Sequence, residues 1–337
     1  MLSDFHLSRR QFAALAASSL LATRIHAEQA AAIPVPGTGL KIDKVGDDFE
    51  DPDWKYIYNG LKSSDEQDKQ QRLPAGLSKN NRWFEPVMRG QPDKIERVKT
   101  PAGGLEGSEG AMYMASIHPG VPGRPSGKVE QDDFCANCVQ PMGGKIPISW
   151  QPNTIVRVYV PPMSLWEDRV GASFGYRLGL RASHQKRDER GRSQGYLEDY
   201  WPGMFFRMEQ HVVDVKATED KPAERKTQRY MRIAIRSGTN GHDLPGPNIT
   251  ETGWYTLGMT CTADGAVHYF FRQGVEDLRP QDRIASHFPY GYRAAQFETF
   301  FFDVLTRETG KTWSTPWIVD DACLYLSSPP RQLMGKK

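Results

Sequence analysis

Apolar and polar residues alternate most regularly in the C-terminal half of the chain. Between residues 253 and 272, two runs rich in β-branched and aromatic residues flank Thr262-Ala263-Asp264-Gly265. Asp-Gly between such runs predicts a β-hairpin, with strands over 254–260 and 267–272. A closing strand is predicted over 317–326, at the end of the run that starts at Trp313. Further strands are predicted over 154–160, 173–181, 204–213, 229–236 and 297–306. Turn-rich segments separate them, among them 185–195 and 238–247. Few helical patterns intervene, which disfavours a parallel sheet with crossover helices. The spacing predicts an all-β fold, an antiparallel two-sheet sandwich with long decorating loops.

The N-terminal half is less regular. Residues 46–51 and 54–58 form the first strand-like region. From 59 to 152 the chain is rich in Gly, Pro, Asn, Asp and Lys, with short apolar islands at 83–88, 95–98, 111–117 and 146–150. This part is expected to supply loops and short strands around the sandwich, within one domain spanning 46–330. Residues 28–45 are rich in Ala, Pro and Gly and are expected to be a linker. Before them, Ser8-Arg9-Arg10-Gln11-Phe12 and a mild apolar run to Ala22 resemble a bacterial twin-arginine signal peptide over 1–27. Cleavage is expected after Ala27 or Ala32, and export of the folded chain to the periplasm or beyond. An amphipathic surface helix is the alternative. No apolar run approaches the roughly 18 residues of a membrane span.

Charge then narrows the partners. The formal net charge is +2, and residues 1–27 hold Arg9, Arg10 and Arg24 against Asp4 alone. Without that segment, basic and acidic residues balance, so global charge offers no argument for nucleic acid. Cys135-Ala-Asn-Cys138 lacks the following His of a haem attachment site, and its spacing to Cys261 and Cys323 is poor for zinc. A local disulfide between Cys135 and Cys138 is expected, and Cys261 and Cys323 are left open.

The early Asp47-Asp-Phe-Glu-Asp51, the hairpin with Trp254-Tyr255, Asp264-Gly265 and Val267-His-Tyr269, and the late Trp317-Ile-Val-Asp-Asp321 with Leu324-Tyr-Leu326 resemble the concanavalin A-like (laminin G-like) jelly rolls. The resemblance implies a carbohydrate partner, since that superfamily includes lectins, β-glucanases and alginate-type lyases. It also implies a structural calcium between the first and last strands. Asp48 and Asp321, beside Asp47 and Asp320, are the candidate oxygen ligands, and solvated strand-end carboxylates are the alternative. No other cofactor is required.

Side chains alternate faces along a strand. Phe205, Arg207, Glu209 and His211 share one face, opposite Phe206 and Met208. Tyr230, Arg232 and Arg236 lie opposite Met231, Ile233 and Ile235, and Arg177 and Arg181 lie opposite Tyr176, Leu178 and Leu180. His268 and Arg272 lie opposite Val267 and Tyr269. On one sheet these faces would form a basic surface suited to an anionic polysaccharide. Arginine pairs with a uronate carboxylate bidentately, and aromatic rings stack on the sugar. β-Elimination needs carboxylate neutralisation, a base and an acid, which Arg207 or Arg232, His211 and Tyr230 are expected to supply in that order. Arg177, Arg181, Glu209, Arg232, Arg236 and His268 are expected to bind substrate. Arg207-Met-Glu209 is similar to the Arg-x-Glu strand motif of alginate-type lyases, although Gln210 and His211 are adjacent where those enzymes have Gln-x-His. The Glu-x-Asp-x-x-Glu strand of laminarinase-type glucanases is absent, which disfavours a retaining glycosidase of that kind. A non-catalytic structural or adhesive envelope protein of the same fold is the alternative.

Overall fold

In the strand Gly203–Val215, Met204, Phe206 and Met208 are buried in the core, while Phe205, Arg207 and Glu209 take the opposite face. The same alternation carries Phe174, Tyr176, Leu178 and Leu180 of Gly171–Arg187 inward, and Phe300, Phe302 and Val304 of Ala294–Arg307. The computed structural model describes residues 32–187, 192–215 and 224–334, and the described residues from Pro34 onward form one compact unit. The expected signal peptide lies outside the described residues.

Two antiparallel sheets face each other. The first has eight strands, running in the order Arg283–His287, Val267–Gln273, Gly253–Cys261, Pro152–Val160, Trp317–Leu326, Gly110–Ala115 and Lys94–Lys99. Leu40–Asp47 also pairs with Trp317–Leu326. The second has eleven strands. Its main path runs Asp243–Ile249, Glu224–Arg236, Gly203–Val215, Gly171–Arg187, Ala294–Arg307, Val129–Ala136, then three two-residue strands at Trp83–Phe84, Leu77–Ser78 and Tyr56–Ile57. Aromatic rings weld the sheets together. Trp317 of the first stacks on Phe174 of the second at 4.9 Å and lies 5.0 Å from Phe206. Phe302 continues the stack to Phe174 at 5.7 Å and to Trp83 at 5.5 Å. Such pairs contribute about 0.5–1.5 kcal/mol each beyond the area they bury.

The hairpin forms where Asp264-Gly265 predicts it. Thr262 and Gly265 close the turn at 2.8 Å, Asp264 accepts the Thr262 hydroxyl at 2.6 Å, and Gly265 has φ +85°. Several expectations are corrected. Leu40–Asp47 lies largely within the expected linker, yet it is a sheet strand paired with Leu326 and its neighbours. Within 59–152, expected to supply loops and short strands, Lys94–Lys99 and Gly110–Ala115 are strands at two of the apolar islands, and Val129–Ala136, outside the islands, is a full sheet member. Ser193–Tyr200 and Asp243–Ile249 are strands in segments read as turns. Cys135, Cys138, Cys261 and Cys323 are all buried free thiols, so the expected Cys135–Cys138 disulfide is not formed. None of the helices among the described residues is long and apolar enough to cross a membrane.

Candidate functional site

The outer face of the eleven-stranded sheet is built from rows of cross-strand partners. One row reads Ala234, Phe205, Gly175, Asp303, Asp133, and the next reads Arg236, Gly203, Arg177, Phe301, Cys135, Phe84. Residues two apart on a strand share a face, so both rows point away from the core. Above them lies a cleft of about 690 Å³. The loop Phe84–Arg89 forms one wall, Asp199 and Trp201 line another, and Glu298 and Thr299 extend the floor.

Arg177 is the centre of that floor. Its side chain is 5% exposed and is held between the rings of Phe205 and Phe301, at 5.5 and 5.4 Å. It donates to the Trp201 carbonyl at 2.6 and 3.0 Å and to Asp303 at 3.3 Å. Asp303 is fully buried, and its Oδ1 has no hydrogen-bond partner among the described residues. A Cβ on Gly175 would lie 2.7 Å from the Phe205 ring and 2.8 Å from Asp303, so only glycine leaves room for both side chains. Asp133 faces Asp303 directly across the ladder, at the spacing where side chains interact. Its Oδ1 accepts from Gln131 at 2.6 Å, and Arg89 lies 3.8 Å from Oδ2.

Burial, then the facing Asp303 carboxylate, push Asp133 well above the ordinary carboxylate range, against the pull of Arg89. Two carboxylates facing each other in a poorly solvated site oppose each other's ionisation, which favours the protonated form of Asp133. It is a buried acid at the edge of a cleft, positioned to donate a hydrogen bond or a proton. Cys135 is no activated nucleophile, because burial and then the Asp133 and Asp303 carboxylates push its thiol far up. The cleft as a whole is acidic. Glu66, Glu85, Asp133, Asp199 and Glu298 line it against Arg89, Arg177 and Arg236. Each arginine already has an acid partner: Glu66 at 2.5 Å, Asp303 at 3.3 Å and Asp243 at 2.9 Å respectively.

Two of the expected substrate-binding residues, Arg177 and Arg236, lie in the cleft, Arg236 stacked 4.6 Å over Phe205. Arg181 stands at its rim, paired with Asp199 at 2.7 Å. The expected catalytic set lies on the same face but in later rows. Arg207 is opposite Arg232, Glu209 is opposite Tyr230, and the His211 and Tyr230 rings are 5.4 Å apart. Six residues of strand separate His211 from the Phe205 row, about 20 Å. There the strand pair projects beyond the sandwich, and Val212 is 62% exposed. Arg207 is paired with Glu209 at 2.9 Å and Asp243 at 3.4 Å, and Arg232 donates to the Gly246 carbonyl. His268 is corrected outright. Its strand belongs to the eight-stranded sheet, where its ring nitrogens meet Thr262 and Ser286 at 2.9 and 2.8 Å.

The expected calcium ligands are otherwise engaged. Asp321 pairs with Arg157 and accepts from the Cys323 thiol, and Asp48 accepts the Glu50 N–H. Among the described residues, no group of three or more His, Cys, Asp or Glu is placed to hold a metal ion. Sequence reasoning missed Asp133, Asp303, Trp201 and Glu298. The detectable signal was Asp132-Asp133 inside Gln131-Asp-Asp-Phe-Cys-Ala136, where strand alternation sends one acid to each face.

No family model matches the chain, and no curated protein matches it. Its fold is similar to that of a carbohydrate esterase from the Shiga toxin-encoding bacteriophage phi24B, at 10% identity and TM-score 0.40, over 80% of this chain and 98% of that one. It is similar to a GH131 β-glucanase catalytic domain from Podospora anserina, at 8% identity and TM-score 0.35, over 70% and 80%. It is similar also to alginate lyase PA1167 from Pseudomonas aeruginosa, at 8% identity and TM-score 0.34, over 70% of this chain and 87% of that one.

Proposed function

We propose that this chain binds a polysaccharide in the cleft on the outer face of the eleven-stranded sheet, with a neutral, hydroxyl-rich polymer favoured over a polyanion. The observation that carries the reading is the composition of the two rows and their rim. A 42% exposed Trp201 offers a stacking surface, and the exposed carboxylates of Glu66, Asp199 and Glu298 offer acceptors to sugar hydroxyls. The three arginines are already paired with acids, so they orient the floor and leave no free cation for a uronate or sulfate. Burial and the facing Asp303 favour the protonated form of Asp133, which adds a donor where the other acids accept.

A second reading keeps β-elimination on the projecting strand pair, favoured by Arg207, Tyr230 and His211 lying together on one exposed face. One experiment separates the two. The purified chain is titrated with neutral and uronate-containing polysaccharides while ultraviolet absorbance of an unsaturated uronate is followed. Trp201→Ala is expected to weaken binding of a neutral polymer about tenfold, equivalent to about 1.4 kcal/mol. Binding unchanged in that variant, or no binding to any polymer, overturns the cleft reading. An absorbance rise that His211→Ala abolishes moves the site to the strand pair.

A further inference from the structure

A second buried cluster lies apart from the floor of the cleft. Lys62 precedes a segment whose Asp65 and Glu66 N–H groups donate to the Val87 and Met88 carbonyls of the cleft-wall loop, and its side chain is only 9% exposed. Its Nζ lies 2.5 Å from Oδ2 of Asp132, a fully buried residue of the strand Val129–Ala136. It also lies 2.9 Å from Oδ1 of Asp93 and 3.0 Å from the His118 carbonyl. The Ser116 hydroxyl donates to Asp132 Oδ2 at 2.6 Å, whereas Asp132 Oδ1 is buried with no partner among the described residues. The remaining oxygen of Asp93 accepts the backbone N–H groups of Ile117 and His118, both at 2.7 Å. A buried amine thus touches both a fully buried carboxyl group and a second, partly buried carboxylate.

We propose that Lys62 and Asp132 condense into an intramolecular amide cross-link, with Asp93 as the proton carrier. An amine held in direct contact with a carboxyl group inside the fold is the arrangement in which effective concentration replaces an activating reagent. The Lys62 ammonium first passes a proton to Asp132, giving a neutral amine and a neutral carboxylic acid. The Nζ lone pair then attacks Cγ of Asp132. Asp93 takes a proton from the attacking nitrogen and delivers it to the departing hydroxyl. The C–O bond to Oδ2, the oxygen that took the Lys62 proton and that the Ser116 hydroxyl also reaches, breaks and one water leaves. Oδ1 becomes the amide carbonyl, and Asp93 ends as it began. No oxidant, reductant or cofactor enters the balance.

The electrostatics suit both roles. Burial first, with Asp93 adding to it, pushes Asp132 up to about 7, so the neutral acid is accessible near neutrality. Burial works against Asp93 as well, but the Lys62 charge and the two backbone N–H groups bring it below the ordinary range, so it is the ionised partner. Condensation also removes two buried charges whose solvation in the protein is incomplete, since Asp132 Oδ1 has no donor. The bond would join positions 70 residues apart and fasten to the sheet the segment that braces the cleft-wall loop.

Peptide mapping of the purified full chain by mass spectrometry tests this. The expected result is one branched peptide containing both Lys62 and Asp132, lighter than the sum of its parts by one water, with no tryptic cleavage after Lys62. Lys62→Arg is expected to give separate unmodified peptides. Asp132→Asn is expected to give the same branched product by loss of ammonia, and Asp93→Asn to leave most of the chain unjoined. Separate, unmodified Lys62 and Asp132 peptides from the wild-type chain overturn the proposal and make the cluster an ordinary buried ion pair.

Discussion

Arg177 shows how much a single position determines. It bridges two aromatic rings, a backbone carbonyl and a buried carboxylate, so its removal strands Asp303 as an unpaired charge with no access to water. Breaking a buried pair from one side costs about 3–5 kcal/mol, whereas removing both partners costs far less. Arg177→Met is therefore expected to lower unfolding stability by about that amount in denaturant titration, and Arg177→Met with Asp303→Leu to recover most of it. Equal losses in the single and double variants would show that Arg177 acts through packing alone. Period-two alternation made Arg177 and Arg236 legible as a shared polar face. It could not reveal Asp303, because a residue's face says nothing of which strand lies beside it. His268 failed for a related reason. Alternation placed it opposite Tyr269 correctly, but sheet membership is decided by long-range pairing, and its strand went to the other sheet.

At the scale of elements, strands with one buried face were readable and strands without one were not. Ser193–Tyr200 is exposed along nearly its whole length, so no apolar period marks it. Asp243–Ile249 contains Pro245, Gly246 and Pro247, yet it is an edge strand, where a missing N–H need not break a ladder. The hairpin was legible because its turn chemistry and its flanking strands agree. Gly265 is held at φ +85°, and a Cβ there would lie 2.7 Å from the Ala294 nitrogen and 2.9 Å from its carbonyl oxygen. Both the dihedral and the backbone approach oppose a side chain. Gly265→Ala is expected to destabilise the fold by about 1–3 kcal/mol, seen as a lowered thermal midpoint. A midpoint within error of wild type would mean that the turn and the strand Ala294–Arg307 move apart at little cost.

At the scale of the whole molecule, the chain closes on itself through Trp317–Leu326, which pairs with Leu40–Asp47, Gly110–Ala115 and Pro152–Val160. Asp320 sits at the irregularity in that closing strand, 1% exposed, accepting from the Ser108 hydroxyl at 2.9 Å and the Asp321 N–H at 2.7 Å. Burial, with Asp321 and Glu50 adding to it, pushes its carboxyl up to about 6. The folded value lies above the unfolded one, so the folded chain binds this proton more tightly. The stability linked to Asp320 is therefore complete below about pH 4. It is lost as pH rises towards 6, a change of about 3 kcal/mol as an order of magnitude. Asp320→Asn stays neutral throughout and keeps an acceptor for one of the two donors. Its stability, measured by denaturant titration from acid to neutral pH, is expected to gain on the wild type across that window and to run parallel above it. Parallel profiles at every pH would mean that folding leaves the proton affinity of Asp320 unchanged. In that case the two hydrogen bonds, and not a retained proton, are what hold the bulge where the ends of the domain meet.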